Sequence, residues 1–253
     1  MEIKQIQEKI KRVVDLLLSQ NTREDLAINK PYSTWMDTLP RDGARIEIQA
    51  LRLCIYRLAK KISETIKKES YYYKLEQNLK NRIKKEFWDG YMLADGFYPE
   101  KGEADFTIRP NLFLAAYLYP KLLSRKEWIN CFDEVIPKLW LNWGGFASLD
   151  KQDSNYHPCS TGEKPLSYHQ GDSWYFINNL AAIVLFRLDK KKYKDYINGI
   201  LKATTQDILW FNTLGSASEI SSAQNCSHLG CFNQAWSAAT YIELVDEMKN
   251  ELL

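Results

Sequence analysis

The sequence predicts an all-α domain with its site built from loops. Three observations carry that prediction. Apolar residues recur at three- and four-residue steps in about eight segments, no segment shows a convincing two-residue alternation, and two long irregular stretches hold the unusual polar residues. Loops longer than about 15 residues inside a compact domain are usually functional.

Residues 2–20 place Ile3, Ile6, Ile10, Val13, Val14, Leu17 and Leu18 at helical spacing, an amphipathic helix. Residues 21–43 carry Asn, Pro and Gly and read as a loop holding Trp35 and Asp37. Ile46, Leu51, Leu53, Ile55, Leu58, Ile62 and Ile66 make a helix of 44–68, and 71–87 make a weaker one. Residues 88–96 are turn-rich, with Gly90 and Gly96. A buried helix is expected within 105–124, starting near Arg109 and Pro110, because proline suits a first helical turn. Residues 125–140 form a short helix and 141–167 a long loop. A buried helix follows at 168–188 and a more charged one at 190–207. The second long loop is 209–230, and the last helix is 231–250. Helices alternating with polar loops fit a layered all-α domain or a helical barrel whose site lies at one end. No fixed-period repeat is present, which argues against a solenoid.

Composition narrows the function classes. At 45% hydrophobic and 26% charged residues the chain is an ordinary globular one. A net charge of +2 demands no polyanionic partner, and the lysine pairs at 60–61, 67–68 and 84–85 and the run at 190–192 read as solvated helix faces. No nucleic-acid or membrane partner is expected, since no apolar run approaches a membrane span. The charged, amphipathic start is no secretory signal, and five irregularly spaced cysteines predict reduced thiols, so a cytoplasmic location is expected. Eight Trp, fifteen Tyr and ten Phe, many beside polar residues, fit core packing and also a sugar site, where aromatic faces stack on pyranose rings.

Several polar residues stand out. Asp37 beside Trp35 reads equally as a catalytic acid or as a capping Asp. Glu219 sits in a small-residue loop that lets a ligand approach, although most loop Glu residues are simply exposed. Glu47, among Ile46, Ile48 and Leu51, reads as a sugar-hydroxyl ligand, as an ion-pair partner of Arg41 or Arg45, or as an alternative acid. Arg109 reads as an internal carboxylate anchor or a surface cation at a helix start. His169, Gln170, Asp172 and Trp174 crowd one helix start and read as a ligand-facing rim. Gln234 and Trp236 begin the last helix in the same way. Cys226, His228 and Cys231 offer three metal-like ligands without the Cys-x-x-Cys pairing of a zinc site, so no metal is expected. Ser167 near His169 lacks a nucleophile-elbow pattern, and no phosphate-binding glycine loop occurs, so no cofactor is expected.

Six segments taken in order resemble one family. They are Thr34 to Asp37 with Pro40 to Leu51 (TWMD, PRDGARIEIQAL), Asp105 to Asn111 (DFTIRPN), Gly145 to Leu149 (GFASL), Ser167 to Trp174 (SYHQGDSW), Leu214 to Glu219 (LGSASE) and Gly230 to Ser237 (GCFNQAWS). They are similar to the signature segments of the amylo-α-1,6-glucosidase domain of glycogen-debranching enzymes, and they span residues 34–237.

The resemblance implies an (α/α)6-barrel glycoside hydrolase that cleaves α-1,6-linked glucose from glycogen-like glucans by inversion. It implies Asp37 as acid and Glu219 as base. The residues singled out above, Trp35, Arg41, Glu47, Arg109, His169, Gln170, Asp172, Trp174, Gln234 and Trp236, are expected as its substrate contacts, with the tryptophans as stacking platforms or, for Trp236, core packing. Such a barrel has twelve helices and about eight are read here, so 1–253 is expected to be the C-terminal portion of one barrel domain lacking its first helices. The expectation is an excised fragment of a longer enzyme or a split-gene subunit completed by a second polypeptide, with a shortened barrel that stands alone or forms a homodimer as the third explanation. A trehalase-like or glucoamylase-like hydrolase and a non-catalytic glucan-binding or assembly subunit are the alternative readings.

Overall fold

The computed structural model describes residues 3–64, 69–162 and 164–249. The expected helix positions at Glu2, at 65–68 (with Ile66, Lys67 and Lys68) and at Asn250 lie outside the described residues. The chain divides into two compact units, Met1–Phe106 with Leu118–Leu123, and Thr107–Tyr117 with Ser124–Leu253.

The first unit holds α1 (Ile3–Gln20), α2 (Ile46–Glu64) and α3 (Glu69–Phe87), with α2 packed on both others. Its core is built from Val14, Leu53, Tyr56, Leu79, Ile83 and Phe87, all essentially buried. The loop between α1 and α2 is tied down by backbone pairing. Short strands β1 (Thr22–Arg23) and β2 (Leu26–Ala27) form a hairpin. The Gln49 side chain on α2 then clamps Ala27, accepting from its N–H at 2.9 Å and donating to its C=O at 2.7 Å. Strand β3 (Ala44–Arg45) pairs with β4 (Gly96–Tyr98), which pairs with β5 (Glu103–Asp105). Asn29 and Gly43 exchange backbone hydrogen bonds at 2.9 and 3.1 Å and close the loop between them. Gly43 has φ +86°, and a Cβ there would meet the Phe97 carbonyl oxygen at 2.9 Å, so this closure needs glycine.

The second unit contains α4 (Asn111–Leu118), α5 (Arg125–Leu139), α6 (Tyr175–Asp189), α7 (Lys194–Gln206) and α8 (Ala235–Lys249). Helix α6 is buried continuously from Tyr175 to Leu185 and packs against α7 and α8. Helix α5 starts at a reciprocal cap: Ser124 Oγ accepts from the Glu127 N–H and the Glu127 carboxylate accepts from the Ser124 N–H. Phe113, Phe132 and Phe146 stack at centroid spacings of 4.7 and 4.9 Å in the core. Strands β6 (Trp140–Leu141) and β7 (Gly145–Phe146) pair, as do β8 (Ser173–Trp174) and β9 (Ile220–Ser221). Among the described residues no helix is long and apolar enough to cross a membrane.

The described residues are mainly helical, with eight α-helices, as the periodicity predicts. Three expectations are corrected. Residues 105–124 are not one helix: α4 ends at Leu118, and Tyr119, before Pro120, has φ −137° and ψ 72°, off the helical region as expected for a residue preceding proline. Residues 168–174 are turn and strand, so the helix expected at 168–188 begins at Tyr175. Strands do occur, in pieces of two or three residues too short to show an alternation.

Candidate active site

In the first unit, the loop that carries Asp37 is held by buried charge. Arg41 donates Nη1 to Glu47 Oε1 at 2.6 Å and Nη2 to Asp95 Oδ2 at 2.7 Å, and its Nη1 also reaches Thr34 Oγ1 at 3.1 Å. All four residues are buried. Burial alone would pull the Arg41 pKa down, but Asp95 and Glu47 outweigh it and hold the guanidinium above its ordinary range. Next to this cluster, Arg45 donates to Asp105 at 2.5 Å and to the Tyr98 hydroxyl at 2.6 Å, and lies 3.7 Å from Asp95. Glu47 and Arg41 are therefore each other's partners, the ion-pair alternative of the sequence reading. Their visible role is to fix Thr34, whose hydroxyl also accepts from the Met36 N–H at 3.2 Å. Met36 is fully buried and Trp35 half-buried, and Asp37 follows them exposed, at the turn closed by the Leu39 N–H on the Met36 carbonyl.

In the second unit, Glu219 stands immediately before β9. Its Oε1 accepts from the Tyr168 hydroxyl at 2.8 Å and from Gln234 Nε2 at 3.1 Å, and its Oε2 accepts from the Cys231 N–H at 2.9 Å. All three donors are uncharged, so the carboxylate is oriented without being neutralised. Gly230 lets it lie there: φ is +70°, and a Cβ would fall on the space Glu219 Oε2 occupies.

Beneath Tyr168 the loop is packed rather than open. His169 is fully buried and stacks on Trp174 at 4.9 Å and 3°. Trp174 is buried too, and its indole N–H donates to the Tyr168 carbonyl at 2.8 Å. Arg109 is buried and donates to the carbonyls of His169 (2.7 Å) and Ser148 (3.2 Å), so it is not a surface cation. Asp172 is buried and accepts from Ser167 Oγ at 2.7 Å, while its Oδ1 is buried without a hydrogen-bond partner. Burial pushes the Asp172 carboxyl above its ordinary pKa, against the opposing pull of Ser167 and Ser160. Gln170 is half-buried and donates to the Leu166 carbonyl at 3.3 Å. The four residues expected as a ligand-facing rim thus include three interior ones, His169, Asp172 and Trp174, and the face of Trp174 is covered by imidazole. Trp236 is different: it is 51% exposed, its ring roughly perpendicular to that of Phe176 at a centroid spacing of 5.1 Å.

Gln234 is brought to Glu219, and Trp236 follows it at the start of α8. Sequence reasoning missed Tyr168, although it lies within the segment Ser167 to Trp174, and missed Asp95 and Asp207, which no local pattern marks. The metal-like trio is dispersed onto other partners. His228 Nδ1 lies 2.6 Å from Asp207 Oδ1, Cys226 Sγ shares a hydrogen with the Tyr175 hydroxyl at 3.5 Å, and Cys231 offers Glu219 its backbone. Among the described residues no group of three or more His, Cys, Asp or Glu is arranged to hold a metal ion.

Residues 13–243 match the family described as amylo-alpha-1,6-glucosidase. No curated protein matches the chain. Among solved structures, an uncharacterized conserved protein from Thermus thermophilus aligns with a TM-score of 0.57 and 12% identity, covering 83% of this chain and 48% of that one. The GH63 mannosylglycerate hydrolase of the same organism, solved in complex with glucose, aligns with a TM-score of 0.57 and 12% identity, covering 83% of this chain and 46% of that one. The chain spans about half the length of these structures, and at this identity the likeness is one of fold. The family match runs through every loop that positions Asp37 and Glu219, and the chain belongs to the amylo-alpha-1,6-glucosidase family of glycoside hydrolases.

Proposed function

We propose that the chain is an inverting hydrolase of α-1,6-glucosidic branch linkages in glycogen-like glucans, with Glu219 as general base and Asp37 as general acid. The observation that carries this reading is the Glu219 carboxylate, held by three neutral donors on a loop inside the family match. A general base must be ionised and aimed, and neutral donors aim it while leaving its charge available to a water. In the reaction Glu219 takes a proton from water, the water oxygen attacks the anomeric carbon, and Asp37 gives its proton to the departing glycosidic oxygen. Inversion requires roughly 6.5–9.5 Å between the two carboxyl groups.

Trp236, half exposed at the start of α8 beside Gln234, is the stacking platform for a glucose ring. Arg41 and Glu47 act in this reading by holding the Asp37 loop. His169, Asp172, Trp174 and Arg109 hold the loop that presents Tyr168. The helices belong to part of an (α/α)6 domain, and the enzyme works in the cytoplasm without metal or cofactor.

The test is product analysis by proton NMR on panose, maltose and trehalose. The reading expects glucose from panose, released first as the β-anomer. Cleavage of maltose or trehalose with panose intact would transfer the activity to another glycoside, and initial α-glucose would contradict inversion.

A further inference from the structure

The geometry points to Asp207 as a positioning residue for Glu219, acting through Ser218, with His228 as its outer support. The inference rests on the reading of Glu219 as the base.

Asp207 is fully buried, where a carboxylate persists only if its oxygens find donors. Two of those donors belong to one residue. The Ser218 N–H donates to Asp207 Oδ2 and the Ser218 hydroxyl to Oδ1, both at 2.7 Å. The third is His228, whose Nδ1 is 2.6 Å from Oδ1 and whose ring stacks on Phe211 at 5.4 Å. Asp207 also opens a turn of π-helix, its carbonyl accepting from the Asn212 N–H at 3.0 Å, which breaks the register of α7 where the carboxylate turns to the Glu219 loop.

The direction of a side chain is set by the peptide planes on either side of its Cα. Around Glu219 these planes are pinned in series. The two planes that flank the Glu219 Cα are held by the Cys231 carbonyl, which accepts from the Glu219 N–H at 2.8 Å, and by the Tyr175 N–H, which donates to the Glu219 carbonyl at 3.2 Å; the plane before them, which carries the Ser218 N–H, is held by Asp207. The Gln234 N–H on the Ala217 carbonyl (2.8 Å) and the Ile220 N–H on the Leu229 carbonyl (3.2 Å) hold the same run of planes through backbone, whereas Asp207 holds it through a carboxylate, whose charge strengthens its hydrogen bonds to Ser218. Ser218 Oγ and His228 Nδ1 both bond to Asp207 Oδ1, so the carboxylate is the centre of the cluster. What the cluster can do is hold residue 218, and through it aim residue 219. A displacement of about 1 Å at a reacting group costs on the order of 100-fold in rate.

The test is Asp207→Asn in the full chain, read by steady-state kinetics on panose and by amide hydrogen exchange over 216–222. An amide keeps the shape but turns one acceptor oxygen into a donor, so it cannot serve both Ser218 donors and His228. The expected result is a loss of about 10- to 100-fold in kcat with KM changed less than about threefold, and faster exchange in that segment. Unchanged exchange overturns the proposal. Wild-type kcat in Asp207→Asn also overturns it when Glu219→Gln, measured in parallel, is inactive. An active Glu219→Gln removes the base assignment instead, while exchange still decides the positioning. If Asp207→Asn does not fold, Ser218→Ala and His228→Gln leave the carboxylate in place. Reduced kcat at constant KM in Ser218→Ala carries the proposal, and wild-type kcat in both overturns it.

Discussion

The Tyr168 hydroxyl donates to Glu219 Oε1 at 2.8 Å, joining two residues 51 positions apart. A hydrogen bond to a charged group contributes about 1.5–3 kcal/mol, and each 1.36 kcal/mol is tenfold in rate. Tyr168→Phe keeps the ring against Trp174 and removes only the donor. It is expected to lower kcat roughly 10- to 100-fold with little change in KM. Steady-state glucose release checks this, and wild-type kcat would mean that Glu219 is aimed without Tyr168.

Gly230→Ala acts on the same carboxylate from the other side. The new methyl would claim the space of Glu219 Oε2 at a backbone φ of +70°. The left-handed conformation costs a residue with a Cβ about 1–2 kcal/mol. The variant is expected to lose at least about tenfold in kcat along with that stability, by kinetics and urea denaturation together. A stable variant with normal kcat would show that the oxygen has room to move.

Arg41 is expected to matter for stability before it matters for substrate affinity. Replacing it with Met leaves Glu47 buried without the Arg41 cation and removes from Asp95 the nearer of its two arginines, Arg45 standing at 3.7 Å. Removing one partner of a buried ion pair costs about 3–5 kcal/mol. Urea denaturation of Arg41→Met should show a loss of that size. A loss under about 1 kcal/mol, with a raised KM, would return Arg41 to the substrate.

Asp172 makes a prediction in pH. Burial raises its pKa in the folded chain, so the folded state holds the proton more tightly than the unfolded one. The stability this contributes is present below the ordinary Asp value of about 3.9 and is lost as pH rises through the raised folded value. Asp172→Asn removes the titration. The stability of the variant relative to wild type should therefore increase as pH rises from about 4 towards neutrality, in paired urea titrations. A difference that stays flat or falls with pH would contradict the burial argument.

The helices were legible because their signal is local. Val14, Leu53 and Ile197 recur with their neighbours at helical spacing and are buried where that spacing puts them. The strands were not, since β8 and β9 have two residues each and exist only because Ser173 meets Ser221. The candidate site divides in the same way. Asp37, Glu219 and Gln234 stand in segments whose residue order resembles a family. Tyr168 stands in such a segment too, but its importance lies in a contact across 51 residues that no local pattern encodes. His169 and Trp174 read as rim because they crowd one helix start with Gln170 and Asp172. In the structure they are buried and stack on each other, and Arg109 donates to the His169 carbonyl.

The central claim, that Glu219 is the catalytic base, is tested most directly by the rate of glucose release from panose by Glu219→Gln. The glutamine retains the shape and can still accept from Tyr168 or the Cys231 N–H, but it cannot take a proton from water. The account predicts a fall of about 10²–10⁴-fold in kcat with an unchanged unfolding midpoint. Turnover at the wild-type rate would contradict it.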